Sequence, residues 1–364
     1  MRILCLICVV SLSLAAYAGE SDIYAAGLAA YKAKDYPAAL TDFRFAAQQG
    51  DANAQRNLGI MYDNGQGVPQ NFSKALKWYR LAAEQDNPLA LSDLGAMYTK
   101  GRGVHKDYTE ALKWFRLAAK YGSAAGQDNI GVMYSKGHGV PHNFVDAMKW
   151  FRRSAKQNFA DAQFNLGTVY DKGQGVPKSY VDALIWYRLA AHQEDPRAEV
   201  NLGTLYYKGH GVPQNYADAL KWYRLAAQQG DAVAQYNIGW MYAKGHGVAQ
   251  DYTRAAKWFQ LAANQGYAKA QYNLGAEYAN GQGVPKSYVE AYKWINLANE
   301  GGFRKAGPIL PILASEMTAS QLTKALHVAA DRKLPAESGS EPPPKKKAGQ
   351  RLATFQASYP QRLS

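Results

Sequence analysis

An all-α solenoid is the fold class that the sequence predicts, and three spacings predict it. Trp78, Trp114, Trp150, Trp186, Trp222, Trp258 and Trp294 stand 36 residues apart. Gly59, Gly95, Gly131, Gly167, Gly203, Gly239 and Gly275 keep the same step, and so does a Gly-x-Gly-Val tetrad that begins at Gly65 and ends its series at Gly281. A fixed period of this length marks a stacked supersecondary unit. Seven gapless copies fill 51–302.

The elements follow in chain order. Residues 1–18 read as a secretory signal: Arg2 supplies the positive start, Ile3 to Ala15 an apolar stretch, and Ala16-Tyr17-Ala18 a small-x-small cleavage site. An uncleaved N-terminal anchor is the competing reading. Cleavage after Ala18 removes both cysteines, Cys5 and Cys8, and directs the mature chain to the periplasm or the exterior. Residues 19–50 are expected to form a shortened capping hairpin, with Tyr36-Pro37-Ala38-Ala39-Leu40 in place of the Gly-x-Gly-Val loop.

Each 36-residue copy reads as helix, Gly-rich turn, helix. The first helix opens at a side chain able to cap free amides (Asp51, Asn87, Ser123, Asp195, Asp231), a pattern that Phe159 and Tyr267 break. It carries Leu58, Gly59 and Tyr62 and stops at Gly65. The second helix is capped in every copy, from Asn71 to Ser287, and Phe72, Ala75, Trp78 and Tyr79 lie on one apolar face at helical spacing. One such hairpin cannot bury its own apolar face, so the copies must stack. Gly59, Tyr62, Gly65, Gly67, Ala75 and Trp78 therefore head structural columns. The Gly59 and Ala75 columns are expected to let helices approach closely. Residues 303–335 are expected to cap the stack with a polar helix starting near Thr318. Residues 336–364, which include Glu341-Pro-Pro-Pro-Lys-Lys-Lys, read as a disordered basic tail.

Composition narrows the function classes. The chain has 364 residues, 47% hydrophobic and 20% charged, with a formal charge of +13. That is too apolar for a disordered protein, and a mean hydropathy of −0.40 with no second long apolar run argues against a transmembrane segment after signal removal. Two cysteines exclude a disulfide scaffold.

The repeated pattern runs Ala54-Gln55-Arg56-Asn57-Leu58-Gly59, Tyr62, Gly65-Gln66-Gly67-Val68, Asn71-Phe72, Ala75 and Trp78-Tyr79 in its first copy. It resembles the Sel-one-like repeat (SLR) family, relatives of the tetratricopeptide repeats, over about seven tenths of the chain. Departures are small: His105 and Ala249 replace the loop proline, Ser179 and Ser287 the Asn or Asp cap, and Ile295 the aromatic after Trp294. The resemblance implies a right-handed α-solenoid that serves as a protein-binding scaffold. Its secreted bacterial members imply host interaction, envelope regulation or polysaccharide export. A disulfide-rich subgroup is linked to binding or hydrolysing β-lactams, but the mature chain lacks that subgroup's cysteines.

Catalytic patterns are scarce. The glycine loops suggest phosphate binding, yet Pro177 and Pro285 stand where a P-loop needs its last glycine, and the loops join two helices. His138, His210 and His246 share one loop column. Stacked helices lie about 10 Å apart, too far for zinc ligands, so a solvated loop face is expected. No catalytic residue, metal site or cofactor is expected. Asp146, Asp182 and Asp218 fall in first turns, where acids complement the macrodipole. The Lys77, Arg80 and Lys100 columns form regular basic stripes, which with a secreted destination argue against nucleic acid and leave an anionic envelope component as a partner.

A protein or peptide partner is expected where the copies differ. The columns at Asn53, Arg56, Ile60 and Asp63 share a face of the first helix, which by analogy with tetratricopeptide relatives lines a concave groove. There the later copies turn aromatic: Phe164, Tyr207, Tyr236, Trp240 and Tyr272. These rings either bind a partner or fill gaps between helices. Beside them runs an asparagine column that includes Asn201, Asn237 and Asn273. It either grips an extended peptide backbone or bonds internally, each Asn to its own Gly-rich loop. The expected function is a non-enzymatic scaffold, with an envelope glycan or peptidoglycan binder and a cysteine-free hydrolase as alternatives.

Overall fold

The computed structural model describes residues 22–331. The signal at 1–18 and the tail at 336–364 lie outside the described residues. Within them are eighteen helices and no strand. A pair, α1 (22–32) and α2 (Tyr36–Gln48), precedes seven hairpins: α3 (Ala52–Asn64) with α4 (Phe72–Ala83), α5 (Pro88–Lys100) with α6 (Tyr108–Lys120), α7 (Ala124–Lys136) with α8 (Phe144–Ala155), α9 (Ala160–Lys172) with α10 (Tyr180–Ala191), α11 (Pro196–Lys208) with α12 (Tyr216–Gln228), α13 (Ala232–Lys244) with α14 (Tyr252–Asn264), and α15 (Ala268–Asn280) with α16 (Tyr288–Glu300). From α2 to α16 each helix packs on the next, and α17 (Ile309–Ser315) and α18 (Ala319–Asp331) close the stack against α16. Thr318 and Gln321 exchange side-chain and backbone bonds as a capping box at the start of α18.

Local chemistry sets the boundaries. The Asp51 carboxylate accepts from the Ala54 N–H at 2.7 Å, and every second helix of the seven hairpins is capped by its own Asn, Asp or Ser. Phe159 and Tyr267 make no side-chain cap. The first helix ends on Gly65 at φ 70°, and Gly67 follows at φ 69°. A Cβ on Gly67 would stand 2.8 Å from the Tyr36 Cβ of the preceding pair, so this second glycine is a contact between units as well as a turn residue. Two expectations are corrected. Tyr36–Leu40 is no loop but the opening of α2, because Pro37 suits a first turn and Asp35 caps the Ala38 N–H at 3.2 Å; the connection is 33–35. The histidine column is solvated on one side only, because each ring lies against a tyrosine of the preceding unit. His138 stacks on Tyr108 with ring centroids 4.1 Å apart, His210 on Tyr180 at 4.3 Å and His246 on Tyr216 at 4.8 Å.

Packing repeats as strictly as the sequence. A Cβ on Gly59 would lie 2.5 Å from the Tyr79 ring, and Gly95, Gly131, Gly167, Gly203 and Gly239 meet an aromatic ring in the same way. All seven residues of the Ala75 column are fully buried. A second set of bonds runs along the stack: Arg44, Arg80, Arg152, Arg188 and Arg224 donate to the hydroxyls of Tyr62, Tyr98, Tyr170, Tyr206 and Tyr242 in the next unit. The basic Arg80 column is thus a structural stitch.

Three buried carboxyls are held well above their ordinary range, and one of them breaks the apolar pattern. Glu277 is buried where the other copies hold Met61, Met97, Met133, Val169, Leu205 and Met241, and its Oε2 finds no hydrogen-bond partner among the described residues. Burial pushes its carboxyl up to about 8. Burial likewise raises Asp128 and Glu199 to about 7, against the bonds donated by Asn165 and Gln229. The folded chain therefore holds these protons more tightly than the unfolded chain, whose carboxyls titrate near pH ~4. Their stability contribution is full below that range and fades as pH rises through about 7 to 8. The melting temperature should fall between pH 5 and pH 9. Glu277→Met should raise it at pH 9 by on the order of 5 °C and by less at pH 5, as read by circular dichroism.

Candidate functional site

The first-helix face becomes irregular at α13. Its residues Val233, Asn237, Trp240 and Lys244 follow at steps of four, three and four and share one side of the helix. Trp240 takes a position that the other copies fill with Ile60, Ala96, Val132, Thr168, Thr204 and Ala276. A bulky ring where most neighbours are small must stand over the groove between helices. It is half-buried, packed along one side on the core.

A small, shallow depression, open to solvent, lies here, lined by Tyr207, Tyr223, Tyr236, Asn237 and Trp240. Its walls are held by hydrogen bonds. The Trp240 indole N–H donates to the Tyr207 hydroxyl, which is bonded to His246 Nδ1 at 2.7 Å. Thr204 Oγ1 and the Tyr223 hydroxyl are 3.1 Å apart. The Lys244 ammonium lies 4.9 Å from the centre of the Trp240 ring, a cation–π contact that fixes the outer edge. Burial raises the Tyr207 hydroxyl above the ordinary tyrosine range and the Tyr236 hydroxyl well above it, so both stay neutral donors and acceptors.

The predicted site residues separate into two groups. Phe164, Tyr207, Tyr236 and Tyr272 are buried. Phe164 packs against Tyr187 with centroids 5.9 Å apart and under the Arg197 guanidinium, Tyr236 against Phe259 and Tyr267, and Tyr272 against Phe303 at 5.0 Å. Phe164, Tyr236 and Tyr272 belong to the Arg56 column, which faces the neighbouring units, whereas Tyr207 stands in the Asp63 column. Of these four, Tyr207 and Tyr236 also reach the depression, and Trp240 alone of the five rings is more than marginally exposed.

The asparagines divide similarly. None is bonded to its own Gly-rich loop, which corrects that expectation. Asn165 donates to Asp128 at 2.9 Å, Asn273 to the Tyr236 hydroxyl at 3.5 Å, and Asn201 bonds the Tyr187 hydroxyl. The column thus reaches mainly to the preceding unit, where the Arg56 column offers partners. Asn237 is the exception: no side-chain bond ties it down among the described residues, and it lines the depression beside Trp240.

The sequence reading missed the buried carboxyls, although comparing columns exposes Glu277 in a row of Met, Val and Leu. Among the described residues no group of three or more His, Cys, Asp or Glu is placed to hold a metal ion, and no helix is long and apolar enough to cross a membrane. Chemically the arrangement offers a flat indole, a neutral amide with donors and acceptor, and one ammonium. That equipment suits capture of a ligand.

Residues 52–87, 88–123, 124–159, 160–195, 196–231, 232–267 and 268–303 each match the family model of the Sel1 repeat. Among solved structures, a Sel1 repeat protein from Oxalobacter formigenes is 37% identical, over 76% of this chain and 80% of that one, with a TM-score of 0.59. A protective antigen present in uropathogenic Escherichia coli strains, displaying an SLR fold, is 28% identical over 91% of this chain and 90% of its own, with a TM-score of 0.38. No curated protein matches the chain.

The burial pattern makes a direct prediction. Tyr236→Ala should cost about 3–5 kcal/mol in chemical denaturation, as a buried aromatic deletion does. Trp240→Ala should cost less than half of that.

Proposed function

The chain belongs to the Sel1 repeat family, whose members are in general non-enzymatic scaffolds for protein interaction, and we propose that it captures a protein partner on the first-helix face around Trp240. The observation that carries the proposal is the depression at α13, where the outlying tryptophan and the unbonded Asn237 amide meet. Half-buried tryptophans with one face on a core are typical energetic centres of interfaces, because they bury large area at low entropic cost. An amide beside such a ring can pair with both the N–H and the C=O of an extended peptide. Lys244 adds a preference for an acidic group next to the anchoring side chain.

The site of action we propose is the bacterial envelope or exterior, on the strength of the signal pattern at residues 1–18. The mature chain would then begin at Gly19.

The test is affinity capture from the native envelope, with mature protein as bait and mass spectrometry as readout. Trp240→Ala and Asn237→Ala should each reduce recovery of the specific partner about tenfold or more, with the helical spectrum unchanged. Equal recovery by Trp240→Ala contradicts the proposal, and so does retention on isolated peptidoglycan sacculi with no protein partner enriched.

A further inference from the structure

Helix α10 departs from its six counterparts at one position, Ile185, on the side away from the core. Three of its side chains, Val181, Ile185 and Leu189, are 57%, 50% and 41% exposed. They follow at steps of four, so they form one line along the helix, about 12 Å from end to end. The position of Ile185 holds lysine in every other copy: Lys77, Lys113, Lys149, Lys221, Lys257 and Lys293. In those copies the long cation keeps the outer face wet. At α10 the cation is replaced by a β-branched hydrocarbon, with an apolar residue one turn to each side. Val145 on α8 and Leu225 on α12 are also exposed, at 47% and 38%.

Scattered apolar residues on a surface need no explanation, but an ordered stripe does. Packing within the chain does not account for this one, because half of each leading side chain faces water. A stripe with a helical step is the surface a second amphipathic helix fits, its own apolar ridge lying along the first. The frame around the stripe is basic. Lys149 and Lys221 occupy the lysine position on the second helices before and after α10, and Arg153 is exposed on α8. Asp146 pairs with Lys149 at 2.9 Å, and Asp182 on α10 and Asp218 on α12 offset two further charges; the exposed Arg152, Arg153, Arg188 and Arg224 with Lys221 still leave the frame positive.

We propose that the outer face of α10 docks an amphipathic helix of a partner protein, one with an apolar stripe flanked by acidic side chains. A second copy of this chain is a poorer fit, since it would bring a basic frame against a basic frame. The surface is separate from the depression at Trp240 and lies on the other helix of the hairpin layer. The solenoid thereby carries two binding faces and can join two partners.

The experiment uses the mature chain and two fluorescent synthetic helices that share a leucine stripe, one flanked by Glu and one by Lys. Anisotropy should show binding of the Glu-flanked helix, weakening with salt, and at least tenfold weaker binding of the Lys-flanked one. Ile185→Lys should weaken the Glu-flanked helix tenfold or more, Ile185→Ser should weaken it too, and Ile185→Leu should preserve it; all three should keep the wild-type melting temperature, because the site is exposed. Equal binding by Ile185→Lys overturns the proposal, as does equal binding of the two helices. A dimer in sedimentation that Ile185→Lys dissolves would assign the face to a second copy instead. Partition onto anionic vesicles that Ile185→Lys abolishes, without helix binding, would assign it to a membrane surface.

Discussion

Every repeat is built around one close approach. In each of the first six copies a helical glycine stands where any side chain would strike the aromatic ring that follows the repeat tryptophan. The last copy keeps the glycine but sets it against Ile295. Without a Cβ on the first helix, the two helices of a hairpin come close enough for the ring to fill the space between them, and the Ala75 column keeps the second helix equally slim. Dispersion falls steeply with separation, so this contact determines how much of the neighbouring apolar surface is sealed. The bonds between units, from arginine to tyrosine hydroxyl and from loop ring to helix-opening ring, recur along the same stack.

That dependence explains why so much of the fold was legible in the amino-acid sequence. A solenoid's contacts recur at a fixed offset, so a column of glycine or alanine reports a contact directly. Caps at Asp51 and Asn71, the left-handed glycine at Gly65 and the tight column at Gly59 could all be read residue by residue. What escaped was cross-column geometry. The histidines look solvated when each loop is viewed alone, since their partners Tyr108, Tyr180 and Tyr216 lie 30 residues earlier in another unit. Asn273 and Tyr236 are likewise 37 residues apart. Such pairs have no local signature.

The candidate site was legible in part, and for the complementary reason. Departures from a column are visible without coordinates: Trp240 among small residues, Ile185 among lysines, Glu277 among methionines. Whether a departure faces solvent or a neighbouring helix is decided by a rotation of one or two positions around the helix. Tyr236 and Tyr272 fall on the packed side, and Trp240 and Ile185 stay accessible. A uniform scaffold with a few deviating positions separates stability from recognition. The uniform columns hold the stack, and the deviations are free to define partners on two different faces.

The most direct test of that division is the melting temperature of Gly167→Ala. In an ordinary helix interior this change stabilises by about 0.5–1 kcal/mol. Here the added Cβ would lie 2.5 Å from the Tyr187 ring, and overpacking of this kind costs about 1–3 kcal/mol. The account predicts a clear drop in melting temperature that Tyr187→Leu in the same chain partly restores. An unchanged or higher melting temperature for the single variant would contradict it.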